Sequence, residues 1–126
     1  MASAGLPVDM ELKKAFQDHQ AMMIDVTQKI KVAEVQKESL KRQEQHAKLT
    51  TAELESLPDD VRLYEGVGRM FLLQEKSTIL ESLRSKIDKS EEKIKNLEAN
   101  KAYLERSIKE SEDNIREMLQ QKHVGK

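Results

Sequence analysis

The sequence predicts a mainly α protein in which two long helices form an intramolecular antiparallel coiled coil, joined by a short helix and one β-hairpin. Three observations lead there. Charged residues make up 36% of the 126-residue chain and aromatics only 3%, with no Trp. This leaves too little bulky apolar material for a large isotropic core around a substrate pocket. Glycine and proline, four and two residues, lie only near the ends and in the middle. Between them, apolar residues recur at alternating steps of three and four, which selects long helices over disorder.

The first helix is expected over 9–49, capped by Asp9. Its seam runs Leu12, Phe16, His19, Met23, Val26, Ile30, Ala33, Lys37, Leu40, Glu44, Ala47. This is narrower than the face of a globular helix. The segment 50–77 interrupts the heptads. A short helix, 50–57, has capping-box spacing at Thr50 and Glu53 and is stopped by Pro58. Two short strands follow, Val61 to Glu65 and Met70 to Gln74, around a turn formed from Gly66-Val67-Gly68. The second helix is expected over 78–122, opened by a Thr78/Glu81 capping box. Its seam runs Leu80, Leu83, Ile87, Ser90, Ile94, Leu97, Lys101, Leu104, Ile108, Ser111, Ile115, Met118. Each helix reaches roughly 60 Å at 1.5 Å per residue. Folding them back with Leu49 opposite Thr78 sets Leu12 against Ile115, Phe16 against Ser111, Met23 against Leu104 and Ala47 against Leu80, with Lys37 opposite Ser90 as a polar layer.

The hairpin makes the strongest demand. Met70 and Leu72 point to one face of the second strand, Phe71 and Leu73 to the other. A strand apolar on both faces requires cover on both, and a solitary ribbon also leaves two open edges. Either the hairpin folds onto its own helices or other chains cover it; two helices cannot cover both faces and both edges. Oligomerisation through Val61, Leu63, Tyr64, Val67, Met70, Phe71, Leu72 and Leu73 is therefore expected. At the opposite helix ends, Leu6, Val8, Met10, Leu12 and Phe16 gather near Ile115, Met118 and Leu119. They either close the end of the coil or offer a repacking apolar tip to partners.

No catalytic, cofactor or metal site is expected. Gly66-Val67-Gly68 lacks the third glycine and the Lys-Ser/Thr pair of a phosphate loop. His19, His46 and His123 are widely separated, and His19 reads as a polar packing residue in the seam. A net charge of −1 argues against nucleic acid and anionic membrane as partners. Without Cys there is no disulfide or thiolate chemistry. The longest apolar runs, Ala21 to Ile24 and Met70 to Leu73, fall well short of a membrane span or signal-peptide core. A soluble cytoplasmic protein is expected.

The hairpin motif Tyr64-Glu65-Gly66-Val67-Gly68-Arg69-Met70-Phe71, set between two such helices, resembles the β-type subunits of prefoldin. The stretches Pro7-Val8-Asp9, Leu12 to Phe16, Tyr103 to Ser107 and Asp113 to Leu119 look like the same family. The resemblance covers nearly the whole chain and implies a single prefoldin-type domain over 1–126. It implies an ATP-independent heterohexamer of two α-type and four β-type subunits, with hairpins joined in a double β-barrel. Non-native actin and tubulin would be held at the coiled-coil tips and passed to the cytosolic chaperonin. In that setting Leu6, Val8, Met10, Leu12, Phe16, Ile115, Met118 and Leu119 look like client contacts, and the hairpin residues like barrel assembly surface. The alternative is a structural coiled-coil scaffold subunit whose tips bind nothing unfolded.

Overall fold

In a computed structural model the backbone is described for residues 2–124 and the side chains for residues 10–121. The elements follow in the order α1 (Ala2–Glu55), β1 (Leu63–Val67), β2 (Met70–Gln74) and α2 (Lys76–Val124). The helix–hairpin–helix layout agrees with the sequence, but several boundaries move. Helix α1 does not start at Asp9, and no separate helix begins at Thr50. Thr50 Oγ1 donates to the His46 carbonyl and Thr51 Oγ1 to the Ala47 carbonyl, both at 2.8 Å. A hydroxyl bonded four residues back belongs to a helix interior, so Thr50 caps nothing. With no Gly or Pro between Pro7 and Pro58, α1 runs through Thr50 and ends at Glu55, shortly before Pro58.

The end of α1 is closed by local and distant groups. Leu57 N–H donates to the Leu54 carbonyl at 3.2 Å, and Val61 N–H to the Pro58 carbonyl at 3.3 Å. From the first residue of α2, the Lys76 ammonium donates to the Leu57 carbonyl at 2.8 Å and lies 3.4 Å from Asp59 Oδ1. A cation here satisfies a carbonyl left over at a helix C-terminus and suits its negative dipole end. Helix α2 starts earlier than Thr78, with Ile79 N–H donating to the Glu75 carbonyl at 3.1 Å.

The hairpin is antiparallel, pairing Leu63 with Gln74, Tyr64 with Leu73, Glu65 with Leu72, Gly66 with Phe71 and Val67 with Met70. The turn is therefore Gly68-Arg69, not Gly66-Val67-Gly68. Gly68 has φ +62, and among the described residues no non-glycine has positive φ. Positive φ at the first central position alone is the type II′ arrangement, whose twist suits a two-residue hairpin. Gly66 lies inside β1, where a Cβ would sit 3.7 Å from Cε1 of the Phe71 ring. The ring flanks the strand position that has no side chain of its own.

The chain divides into two compact units. One combines residues up to Glu34 with those from Glu98; the other is Val35–Leu97 and contains the hairpin. In the first unit α1 and α2 run antiparallel. His19 Nδ1 and Ser111 Oγ share a hydrogen bond at 2.8 Å, and Lys101 donates to Glu34 Oε1 at 2.7 Å. That hydrogen bond and the charge of Glu34 raise the Lys101 pKa. Ser111 thus meets His19 rather than Phe16, a slip of almost one helical turn from the expected register. Continuing α1 beyond Leu49 accounts for it, because the assumed Leu49–Thr78 alignment no longer anchors the pair. In the second unit Lys48 bridges Glu44 at 2.8 Å and Glu91 at 3.7 Å. The Lys48 hydrogen bond lowers the Glu44 pKa, and its counterpart raises that of Lys48.

The seam of α2 lies where the sequence predicts: every position from Leu80 to Met118 in the series is buried or half-buried. Helix α1 follows its series at Leu12, at His19 and from Val26 onward, but departs from it at Phe16 and Met23. Ala15 and Met22 are half-buried there, while Phe16 and Met23 remain 42% and 39% exposed. Met22, Val26 and Ile30 then follow at two consecutive steps of four, a stutter that relaxes the drift between 3.6- and 3.5-residue periods. Among the described residues buried positions are few: Val26, Ala33, Ala47, Ser90 and Ile115. Among the described residues, no buried side-chain polar atom lacks a hydrogen bond.

Ala47, at 1% exposure, is the most enclosed of the buried residues. Ala47→Leu should therefore overpack the seam and cost about 1–3 kcal/mol. The same change at exposed Ala21 should stay within about 0.5 kcal/mol. Urea unfolding followed by circular dichroism checks this, and equal effects at the two sites would contradict close helix approach at Ala47.

Candidate functional site

The first candidate surface is the hairpin. Alternation along the strands places Leu63, Glu65, Val67, Met70, Leu72 and Gln74 on one face, and Tyr64, Gly66, Phe71 and Leu73 on the other. The second face carries no charge. Phe71 is 75% exposed, and Val61, Tyr64, Val67, Met70, Leu72 and Leu73 are also exposed; Leu63 and Gln74 are half-buried. The sheet has two strands, so within the chain each keeps an unpaired edge. Beside Leu73, an open groove of about 720 Å³ runs between Val61, Glu75 and Leu80. At roughly 25 cal/mol per Å² of apolar area, covering this ribbon is worth several kcal/mol, and isolated exposed patches of this kind mark interaction sites.

The second candidate surface is at the helix ends. Met10, Phe16 and Leu119 are exposed, and Leu12 and Met118 are half-buried. Ile115 is 8% exposed and belongs to the seam, so it presents no surface to a partner as the structure stands. The side chains of Leu6 and Val8 lie outside the described residues. Farther along α1, Met23 and Ile24 add exposed apolar surface. Ile24 was missed by sequence reasoning, although an apolar residue outside both seam series is itself the signal. Lys76 was also missed, because its role depends on a contact 19 residues away.

Chemistry is sparse. His19 is engaged across the seam with Ser111. Among the described residues no cluster of three or more His, Asp or Glu side chains suits a metal ion. No described helix is long and apolar enough to cross a membrane. What the two surfaces can do is bind other polypeptides: strand edges by main-chain hydrogen bonds, flexible apolar side chains by repacking.

Comparison with known proteins agrees. The prefoldin subunit family model matches residues 17–122. Prefoldin subunit 1 of Bos taurus and that of Homo sapiens are each 58% identical over 113 residues, covering 90% of this chain and 93% of theirs. Prefoldin subunit 1 of Arabidopsis thaliana is 35% identical over 90% of this chain and 88% of its own. The crystal structure of the prefoldin beta subunit from Thermococcus strain KS-1 superposes with a TM-score of 0.68 at 28% identity. It covers 79% of this chain and 90% of that one. Helix, open hairpin and returning helix thus coincide with a family match over most of the length, and the chain belongs to the prefoldin family as a β-type, non-enzymatic cochaperone subunit.

Proposed function

We propose that the whole chain, 1–126, acts as one prefoldin-type domain in a cytoplasmic heterohexamer of two α-type and four β-type subunits. Its hairpin joins partner hairpins in a β-barrel. Its helix ends hold non-native proteins, actin and tubulin among them, for transfer to the cytosolic chaperonin. The observation that carries this reading is the hairpin, apolar and exposed on both faces with both edges unpaired within the chain. Such a ribbon is stable in water only when something else covers it. The tip assignment draws support from exposed Met10, Phe16 and Leu119, whose mixed shapes suit varied unfolded segments better than one fixed partner. Release proceeds by competition between chaperonin and client for the same apolar groups, since binding of this kind needs no nucleotide cycle.

Two experiments separate assembly from capture. Phe71→Asp places a carboxylate where partner strands would bury it, a change expected to abolish hexamer formation in native mass spectrometry. A hexamer of normal mass containing that variant would contradict the barrel role. Removing residues 1–11 and 117–126 should leave the hexamer intact while impairing suppression of actin aggregation on dilution from denaturant. Full suppression by the trimmed hexamer would instead support a scaffold subunit.

A further inference from the structure

The two outer edges of the hairpin differ in charge, and we infer that Glu65 makes the β1 edge selective for a heterologous strand bearing a cationic side chain opposite it, closing that edge to a second copy of this chain. The inference rests on the reading that the hairpin assembles with other chains. Strand β1 is five residues long, and Glu65 is its central residue. Two copies pairing antiparallel through β1 meet across a two-fold axis, which forces residue i opposite j and j opposite i. The register that keeps every pair then sets Glu65 directly opposite its own counterpart. Like charges so placed are destabilising.

Other registers avoid the like-charge pair only at another cost. A slip of one residue turns the charge-free face of Tyr64, Gly66, Phe71 and Leu73 to the opposite side in the second copy. A slip of two sets the carboxylate against Leu63 or Val67 and shortens the ladder. Diagonal neighbours offer no relief, because the residues two positions from Glu65 on its own face are also Leu63 and Val67. Across its own hairpin Glu65 faces Leu72. Strand β2, Met70–Gln74, contains no charge, so its edge discriminates by shape alone. Self-pairing through β2 therefore stops at two copies, while the β1 edges stay reserved for a chain that supplies the missing cation. This is the use of edge charge against unwanted strand pairing.

A charge-swap experiment on full-length chains tests it. Wild type and Glu65→Lys, mixed in equal amounts at low salt, should show a weight-average mass by light scattering about twofold above either alone, because the mixed β1 pair is now attractive. About 1 M salt should return the mixture to the unmixed value. In competition for the partner subunits, Glu65→Lys should be incorporated roughly threefold to tenfold less well than wild type, and the isosteric Glu65→Gln should fall between them. No gain on mixing, or normal incorporation of Glu65→Lys, overturns the inference. Phe71→Asp, run alongside, separates the levels. Its exclusion together with normal Glu65→Lys incorporation sinks charge selection and leaves hairpin assembly standing, whereas its normal incorporation sinks both.

Discussion

Two α-helices in contact enclose one row of side chains and no more. A third layer would be needed to bury a second row, and this chain has none, so whatever lies off the seam must face water or another molecule. The composition fits that limit, with a high charge content and few aromatic residues. Enclosed positions along the seam include Ala33, Ala47 and Ser90, side chains small enough to let helix backbones come close. Stability therefore depends on length and regular spacing, with surface ion pairs such as Lys101–Glu34 adding little because solvent screens them.

The same limit gives the hairpin its meaning. A coiled coil has no broad face on which a two-stranded sheet can lie, so Tyr64, Phe71 and Leu73 stand exposed on one side and Val67, Met70 and Leu72 on the other. Binding energy withheld from the monomer becomes available for assembly. The clamp from Lys76 to Leu57 and Asp59 ties the two ends that lead into and out of the ribbon. That presents the strands as a preorganised unit and lowers the ordering cost of docking.

Much of this was legible in residue order. Helix α2 follows its predicted seam throughout, because Leu83, Ile87, Ile94, Leu97, Ile108 and Ile115 have no apolar neighbour in sequence and fix one phase. Helix α1 was misread at Phe16 and Met23 for the opposite reason. Each sits next to another apolar residue, Ala15 or Met22, so steps of three and four fit equally well. At 15 and 16 the bulkier Phe looked like the better core residue and at 22 and 23 two methionines are equivalent, so accumulated helical drift chose the neighbour in each case. The turn was displaced by a similar degeneracy. With glycines at 66 and 68, only the pairing of Val67 with Met70 decides which one takes positive φ. The end of α1 was not readable locally, since a threonine followed three residues later by a glutamate reads as a cap unless the preceding carbonyls are known to be within reach.

The claim that the exposed ribbon requires unlike chains is tested most directly by mass. Light scattering should be recorded for the 14.5 kDa chain alone and after mixing with α-type and other β-type prefoldin subunits. Alone the chain should give a small or ill-defined species, and mixing should give one discrete heterohexamer. A stable homodimer that ignores those subunits would contradict it.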